Sequence, residues 1–257
     1  MPFIAITHTP PAALEQGERS FVSRTEIDMP LALRQHAAYC GLLGELGARV
    51  IMVDVNREYP DGVFVEDTAL VLDEVAVMAR PGADSRRGEP AGIEPVLAAF
   101  RPVQRIEAPG TLDGGDVVVT GKRILVGASA RTNADGARLL QDIVRPFGYR
   151  VDRVGLRDCL HLKSACCALP DGRLFVNPAW LETGALSDFA LVESPPQEPF
   201  GADFATVGGT IIVSETNPRT AVSLLSLDFA VRSTPLSEFE KAEGGVSCLS
   251  IIFPALT

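Results

Sequence analysis

The chemically competent residues of this chain are one thiol, one imidazole and several carboxylates that recur at near-regular intervals. Cys248 follows Gly244-Gly245-Val246-Ser247 and precedes an apolar run, a setting in which backbone free of Cβ atoms can approach a small ligand. Counting forward from Asp67, steps of about 46, 48 and 87 residues reach Asp113, His161 and Cys248, the last being close to two periods. A thiolate attacks carbon, and an imidazole protonates a leaving amine and later deprotonates water. Carboxylates accept the N–H fork of a guanidinium, and a bound cation favours thiolate over thiol. The set suits attack on a planar cationic amidine or guanidine carbon, with no metal and no cofactor required.

Each residue also has a plainer reading. Cys248 alone fits a buried thiol beside a turn. Val63-Phe64-Val65-Glu66-Asp67 reads as an apolar strand into which two acids are driven, costly unless they bind something or pair with Arg80, Arg86 or Arg131. Arg86, Arg87 and Arg131 fit either a clamp for a substrate carboxylate or solvated loop cations. Cys159-Leu160-His161 with Cys166-Cys167 offers zinc-like ligands but lacks a second Cys-x-x-Cys knuckle. His8 and His36 stand at no repeat start and read as structural.

The elements that must position these residues repeat with a period of about 45 residues. Strand pairs are predicted over 68–80, 117–127, 164–176 and 204–214, turning at Asp73-Glu74, Gly121-Lys122, Asp171-Gly172 and Gly208-Gly209. Helical segments follow at 93–100, 133–144 and 219–227. A fifth unit is split between the Phe3–Thr7 run and the final Leu249–Phe253 run, and a helix is predicted to start at Asp28 and Pro30. Each unit alone leaves an apolar face uncovered, which closure into a ring would bury, bringing equivalent repeat starts to one axis. The alternative is an open three-layer α/β domain with accidental hairpin similarity.

Of 257 residues, 46% are hydrophobic and 6% aromatic, ample for the core of an α/β protein. A formal charge of −10 argues against nucleic-acid and anionic-membrane partners. No run approaches the roughly 20 apolar residues of a membrane span, and the first residues lack a signal-peptide pattern. Five unevenly spaced cysteines do not form a disulfide framework, so a cytoplasmic chain with reduced thiols is expected. No linker divides the chain, and residues 1–257 read as a single catalytic domain.

Taken together, Phe64-Val65-Glu66-Asp67, Arg80-Pro81-Gly82-Ala83 with Ser85-Arg86-Arg87, Leu112-Asp113-Gly114-Gly115-Asp116, Ala130-Arg131-Thr132-Asn133, His161-Leu162-Lys163 and Gly244-Gly245-Val246-Ser247-Cys248 resemble the dimethylarginine dimethylaminohydrolases. Related arginine and agmatine deiminases share the Gly-Gly-Asp and terminal-cysteine themes, but carry an acid where this chain has Lys163. The resemblance implies a five-bladed α/β propeller of ββαβ units, the pentein fold, with a central active-site channel. It implies hydrolysis of Nω-methylated arginines to citrulline, with Cys248 as nucleophile, His161 as general acid and base, and Asp113 as the orienting acid. Asp67 resembles the other guanidinium-binding carboxylate, Asp61 and Glu66 the acids around the substrate's amino end, and Arg86 and Arg131 the carboxylate clamp. Ala242 stands where the family offers a backbone carbonyl. Glu18 falls in a lid loop where relatives carry a leucine, so the carbonyl survives and the side chain does not. That departure keeps open a different guanidine substrate, as in the deiminases, and a ring of this kind could also serve as a non-catalytic binding module. An exposed sheet edge could pair with a second copy to give a homodimer.

Overall fold

The computed structural model describes residues 2–255. Among them the strands form five three-stranded sheets of one design. In four of them a hairpin supplies two antiparallel strands, in the fifth the first and last strands do, and in each a crossover places a third strand parallel to the central one. The predicted hairpins are all present, with Ala69–Val71 pairing Ala76–Met78, Val117–Thr120 pairing Arg123–Ala128, Cys166–Ala168 pairing Leu174–Val176, and Ala205–Val207 pairing Thr210–Ser214. The split fifth pair joins Phe3–His8 to Ser250–Pro254. The tight turn of the fourth hairpin needs positive φ at two successive positions, and Gly208 and Gly209 supply it at +57° and +87°.

The chain divides into two compact units, one formed by residues up to Glu66 with those from Phe204 onward, the other by Asp67–Asp203. In the first unit the helix Met29–Glu45 starts where Asp28 Oδ1 accepts the Leu31 N–H at 2.9 Å, with Pro30 in its first turn. It buries Tyr39, Leu42 and Leu43 in a core with Phe64, Phe239 and Leu249. In the second unit the helix Ala134–Val144 is capped by Asn133, whose Oδ1 accepts the Gly136 N–H at 2.8 Å, and packs Leu140 and Val144 against Ile124 and Val126. The helix predicted at 93–100 begins earlier, at Glu89, because Pro90 fits the first helical turn, where no N–H is needed. The third hairpin is followed by two 3-10 turns, Pro178–Trp180 and Thr183–Leu186, instead of an α-helix.

One local expectation is overturned. Residues 63–67 do not form a strand; Val65–Thr68 is a 3-10 turn that precedes the first hairpin strand at Ala69. Similar turns, Gly114–Asp116, Leu162–Ser164 and Ser247–Leu249, precede the strands at Val117, Cys166 and Ser250. Tight turns point successive side chains in different directions, where a strand would alternate them between two faces. Asp67 and Cys248 lie inside such turns, and Asp113 and His161 immediately before them. The fourth hairpin lacks this turn, which accounts for the double step from His161 to Cys248.

Candidate active site

In the second unit, His161 and Asp113 enter their turns from extended backbone, at φ −131° and −101°. Both are buried, as is Asp67. The imidazole lies between the two acids, Nε2 at 3.1 Å from Asp113 Oδ2 and Nδ1 at 3.8 Å from Asp67 Oδ1. Only the doubly protonated ring offers a proton to each acid. Burial alone would depress the imidazole pKa, but Asp67, the Asp113 hydrogen bond and Asp116 outweigh it and lift it to about 9. Burial opposes ionisation of Asp67 too, yet His161 and Arg86 hold its carboxyl at about 2. Gly115 donates its N–H to Asp67 Oδ1 at 2.9 Å. A Cβ there would stand 2.7 Å from both Asp67 Oδ1 and His161 Nδ1, so glycine is what lets acid and imidazole close over this backbone.

Asp67, Asp113 and His161 are also the group of described residues best placed to share a metal ion, with ligand atoms within 4.8 Å of one another. Each already has a charge partner within this cluster or in Arg86. The zinc alternative with Cys159, Cys166 and Cys167 does not assemble. Cys159 Sγ donates to the His161 carbonyl at 3.6 Å, while Cys166 and Cys167 are strand residues.

The two arginines differ. Arg86 is buried and already engaged, Nη1 donating to Asp67 Oδ2 at 2.6 Å and Nη2 to Glu89 Oε2 at 2.7 Å, with Nε also facing Glu89. The plainer reading weighed for the acids, an ion pair to Arg86, therefore holds for Asp67. Arg131 is only 8% exposed, and no described residue accepts a hydrogen bond from its guanidinium.

In the first unit, Cys248 is half-buried in the turn Ser247–Leu249, its Sγ accepting the Gly245 N–H at 3.3 Å. Ser247 donates its hydroxyl to Glu66 Oε2 at 2.8 Å, fixing a buried carboxylate one residue from the thiol. A Cβ on Gly244 would overlap the Phe64 ring, so this glycine serves close packing. Asp61 is buried, and its Oδ2 accepts the Glu18 N–H at 3.0 Å. The segment around Glu18 lies against residues 241–243. Arg19 Nε donates to the Lys241 carbonyl at 3.0 Å, and the Glu243 carboxylate accepts the Ser20 and Phe21 N–H groups at 2.6 and 2.9 Å. Ala242, between these anchors, is buried.

No family model matches the chain. It is 40% identical over 249 residues to the N(G),N(G)-dimethylarginine dimethylaminohydrolase of Streptomyces coelicolor, covering 96% of this chain and 95% of that one. The chain belongs to the dimethylarginine dimethylaminohydrolase family. Two solved dimethylarginine dimethylaminohydrolases superpose with a TM-score of 0.92 at 35% identity, each match covering 98% of this chain and 100% of the other. One is the Pseudomonas aeruginosa enzyme in a cysteine-to-serine form with citrulline. The other carries an adduct with S-methyl-L-thiocitrulline. The fold class is thus the five-unit α/β propeller expected from the repeats.

Three contributors escaped the sequence reading as site residues. Glu89 holds Arg86 across one helical turn, Ser247 holds Glu66, and Asp116 accepts the Leu162 N–H at 3.0 Å. Asp116 and Ser247 lay inside quoted motifs, but nothing in spacing alone separates a residue that reacts from one that holds it.

Proposed function

We propose that this chain hydrolyses Nω,Nω-dimethyl-L-arginine and Nω-monomethyl-L-arginine to L-citrulline and di- or monomethylamine through a covalent intermediate on Cys248. The observation that carries the reading is the buried Asp67, His161, Asp113 cluster, which keeps an imidazole charged with a proton until a leaving amine takes it. Asp67 and Asp113 have acceptor capacity left to seat a guanidinium. The Cys248 thiolate adds to the guanidine carbon, and His161 protonates the methylated nitrogen as its bond to that carbon breaks. His161, now neutral, takes a proton from water as the water attacks the thiouronium carbon. The carbon–sulfur bond then breaks, returning the electron pair to Cys248, while the oxygen's remaining proton passes to solvent as the C=O of citrulline forms and the product leaves.

Arg131, whose guanidinium has no hydrogen-bond partner among the described residues, is the leading member of the clamp for the substrate's α-carboxylate, with Arg86 the second. Asp61, Glu66, Glu18 and the Ala242 carbonyl belong to the substrate's amino end in this reading. The five free cysteines suit a reducing cytoplasmic setting. Among the described residues no helix is long and apolar enough to cross a membrane.

The test is citrulline formation from a panel of arginine, mono- and dimethylated arginine and agmatine. Cys248→Ser should abolish turnover with circular dichroism and Tm unchanged, and retained turnover in that variant refutes the mechanism. The exposed Glu18 side chain motivates the second reading, a different guanidine substrate. Activity confined to agmatine, which has no α-carboxylate, selects that reading and removes the clamp role.

A further inference from the structure

The Gly-Gly-Asp motif ends in a carboxylate that the reaction does not use. Asp116 is fully buried, and among the described residues it makes no ion pair. Its Oδ1 accepts the N–H of Leu162, the residue after the imidazole, at 3.0 Å. Its Oδ2 accepts the Ser129 hydroxyl at 2.5 Å. Ser129 Oγ in turn accepts the N–H groups of Arg131 at 3.0 Å and Thr132 at 3.2 Å. The Thr132 hydroxyl accepts the Asp113 N–H at 3.1 Å, which ties the Asp113 backbone to the same loop. A Cβ at residue 127 would meet Asp116 Oδ1 and stand 3.0 Å from Leu162 Cβ, so Gly127 clears the space this carboxylate occupies.

We propose that Asp116 is a positioning residue that locks the His161 turn, the Asp113 backbone and the Arg131 loop into a single piece, coupling acid–base geometry to recognition of the substrate's carboxylate. The proposal rests on the roles given above to His161 and Arg131. Burying an acid without a cation is unfavourable, and burial lifts the Asp116 carboxyl to about 6. That cost is accepted where a single acceptor must satisfy donors from separate loops. No neutral side chain of this size does the same. An asparagine keeps one acceptor oxygen, and its NH2 would face a Ser129 oxygen that already accepts two N–H groups. The charge matters as well. His161 faces Asp67, Asp113 and Asp116, with Arg86 behind Asp67, while Asp116 faces His161, Asp113 and Cys159. Asp116 is ionised at the pH where His161 titrates, and contributes to keeping it protonated.

The experiment compares the full-length wild type, Asp116→Asn and Ser129→Ala by steady-state citrulline formation from dimethylarginine between pH 6 and 10, by Tm, and by NMR titration of His161. Ser129→Ala frees the loop of Arg131 and Thr132 from Asp116 while leaving the Asp116 contact to Leu162, and should raise KM by about tenfold with kcat within about threefold. Asp116→Asn should lower kcat by at least about tenfold and move both the alkaline limb of kcat/KM and the His161 titration down by about one pH unit. Wild-type KM and pH profile in both variants, or an equal loss of kcat and Tm in both without a KM split, overturns the proposal. If Asp116→Asn does not fold, an unchanged KM in Ser129→Ala overturns it alone. If wild type makes no citrulline, the substrate assignment fails, and an unshifted His161 titration in Asp116→Asn still overturns this one.

Discussion

The position of His161 between two acids makes a quantitative claim about stability. A histidine free of the fold titrates near 6.5 and this one near 9, a difference worth about 3 kcal/mol at ~1.4 kcal/mol per pH unit. The ring is buried, so little of this is screened by solvent. Because the folded pKa is raised, the contribution is complete below pH 6.5, shrinks as pH rises toward 9, and is gone above it. The perturbation that isolates it is Asp67→Asn, which removes the largest attraction on the imidazolium while Arg86 keeps Glu89 as a partner. Urea denaturation of both proteins at half-unit intervals from pH 6 to 10 gives two curves whose difference cancels the remaining titrating groups. Wild type should lose about 3 kcal/mol more stability from His161 on going alkaline, and the variant no more than about half of that. Under the proposed mechanism, in which the departing amine takes its proton from the same ring, the alkaline fall of kcat/KM should shift down with it. Parallel stability curves, or a His161 titration near 6.5 in wild type, would refute the argument.

Other perturbations read different parts of the site. Gly244→Ala forces a methyl into the Phe64 ring and should cost about 1–3 kcal/mol in urea denaturation, with a loss of turnover out of proportion to that cost because Cys248 is four residues away. Glu243→Ala removes the acceptor of the Ser20 and Phe21 N–H groups, and should speed hydrogen exchange at those two amides and raise KM while leaving the Tm within a few degrees. Arg131→Met should raise KM for dimethylarginine by about a hundredfold, the loss of a charge-assisted carboxylate contact of about 2–3 kcal/mol, and leave any turnover of agmatine unchanged.

Much of this architecture was readable because the repeat carries a strong local signal. Turn residues such as Gly208-Gly209 and Gly121-Lys122 sit between β-branched runs, and each hairpin formed where those signals stood. The cap at Asp28 and the proline after it marked the long helix correctly. The error at 63–67 has the same origin. A short run of apolar, β-prone residues such as Val63-Phe64-Val65 reads as a strand, and only the tertiary partners of Glu66 and Asp67 make a 3-10 turn the better solution there.

Asp67, Asp113, His161 and Cys248, the residues spacing singled out, share one structural address, the turn entering a strand of its sheet, and a period finds an address without knowing its geometry. What spacing cannot convey is how charge is shared once the residues are buried. Arg86 and Arg131 look alike in sequence, each in a polar loop after a hairpin, yet one is saturated by Glu89 and Asp67 while the other has no described partner. The difference comes from Glu89, one helical turn beyond Arg86 on a helix that begins earlier than its pattern suggests. Arg131 has no such neighbour, since the residue three beyond it is Ala134. In a buried site the counter-charge decides what a cation can do. Arg86 is thereby committed first to Asp67 and Glu89, while under the proposed function Arg131 is left to meet the substrate's carboxylate.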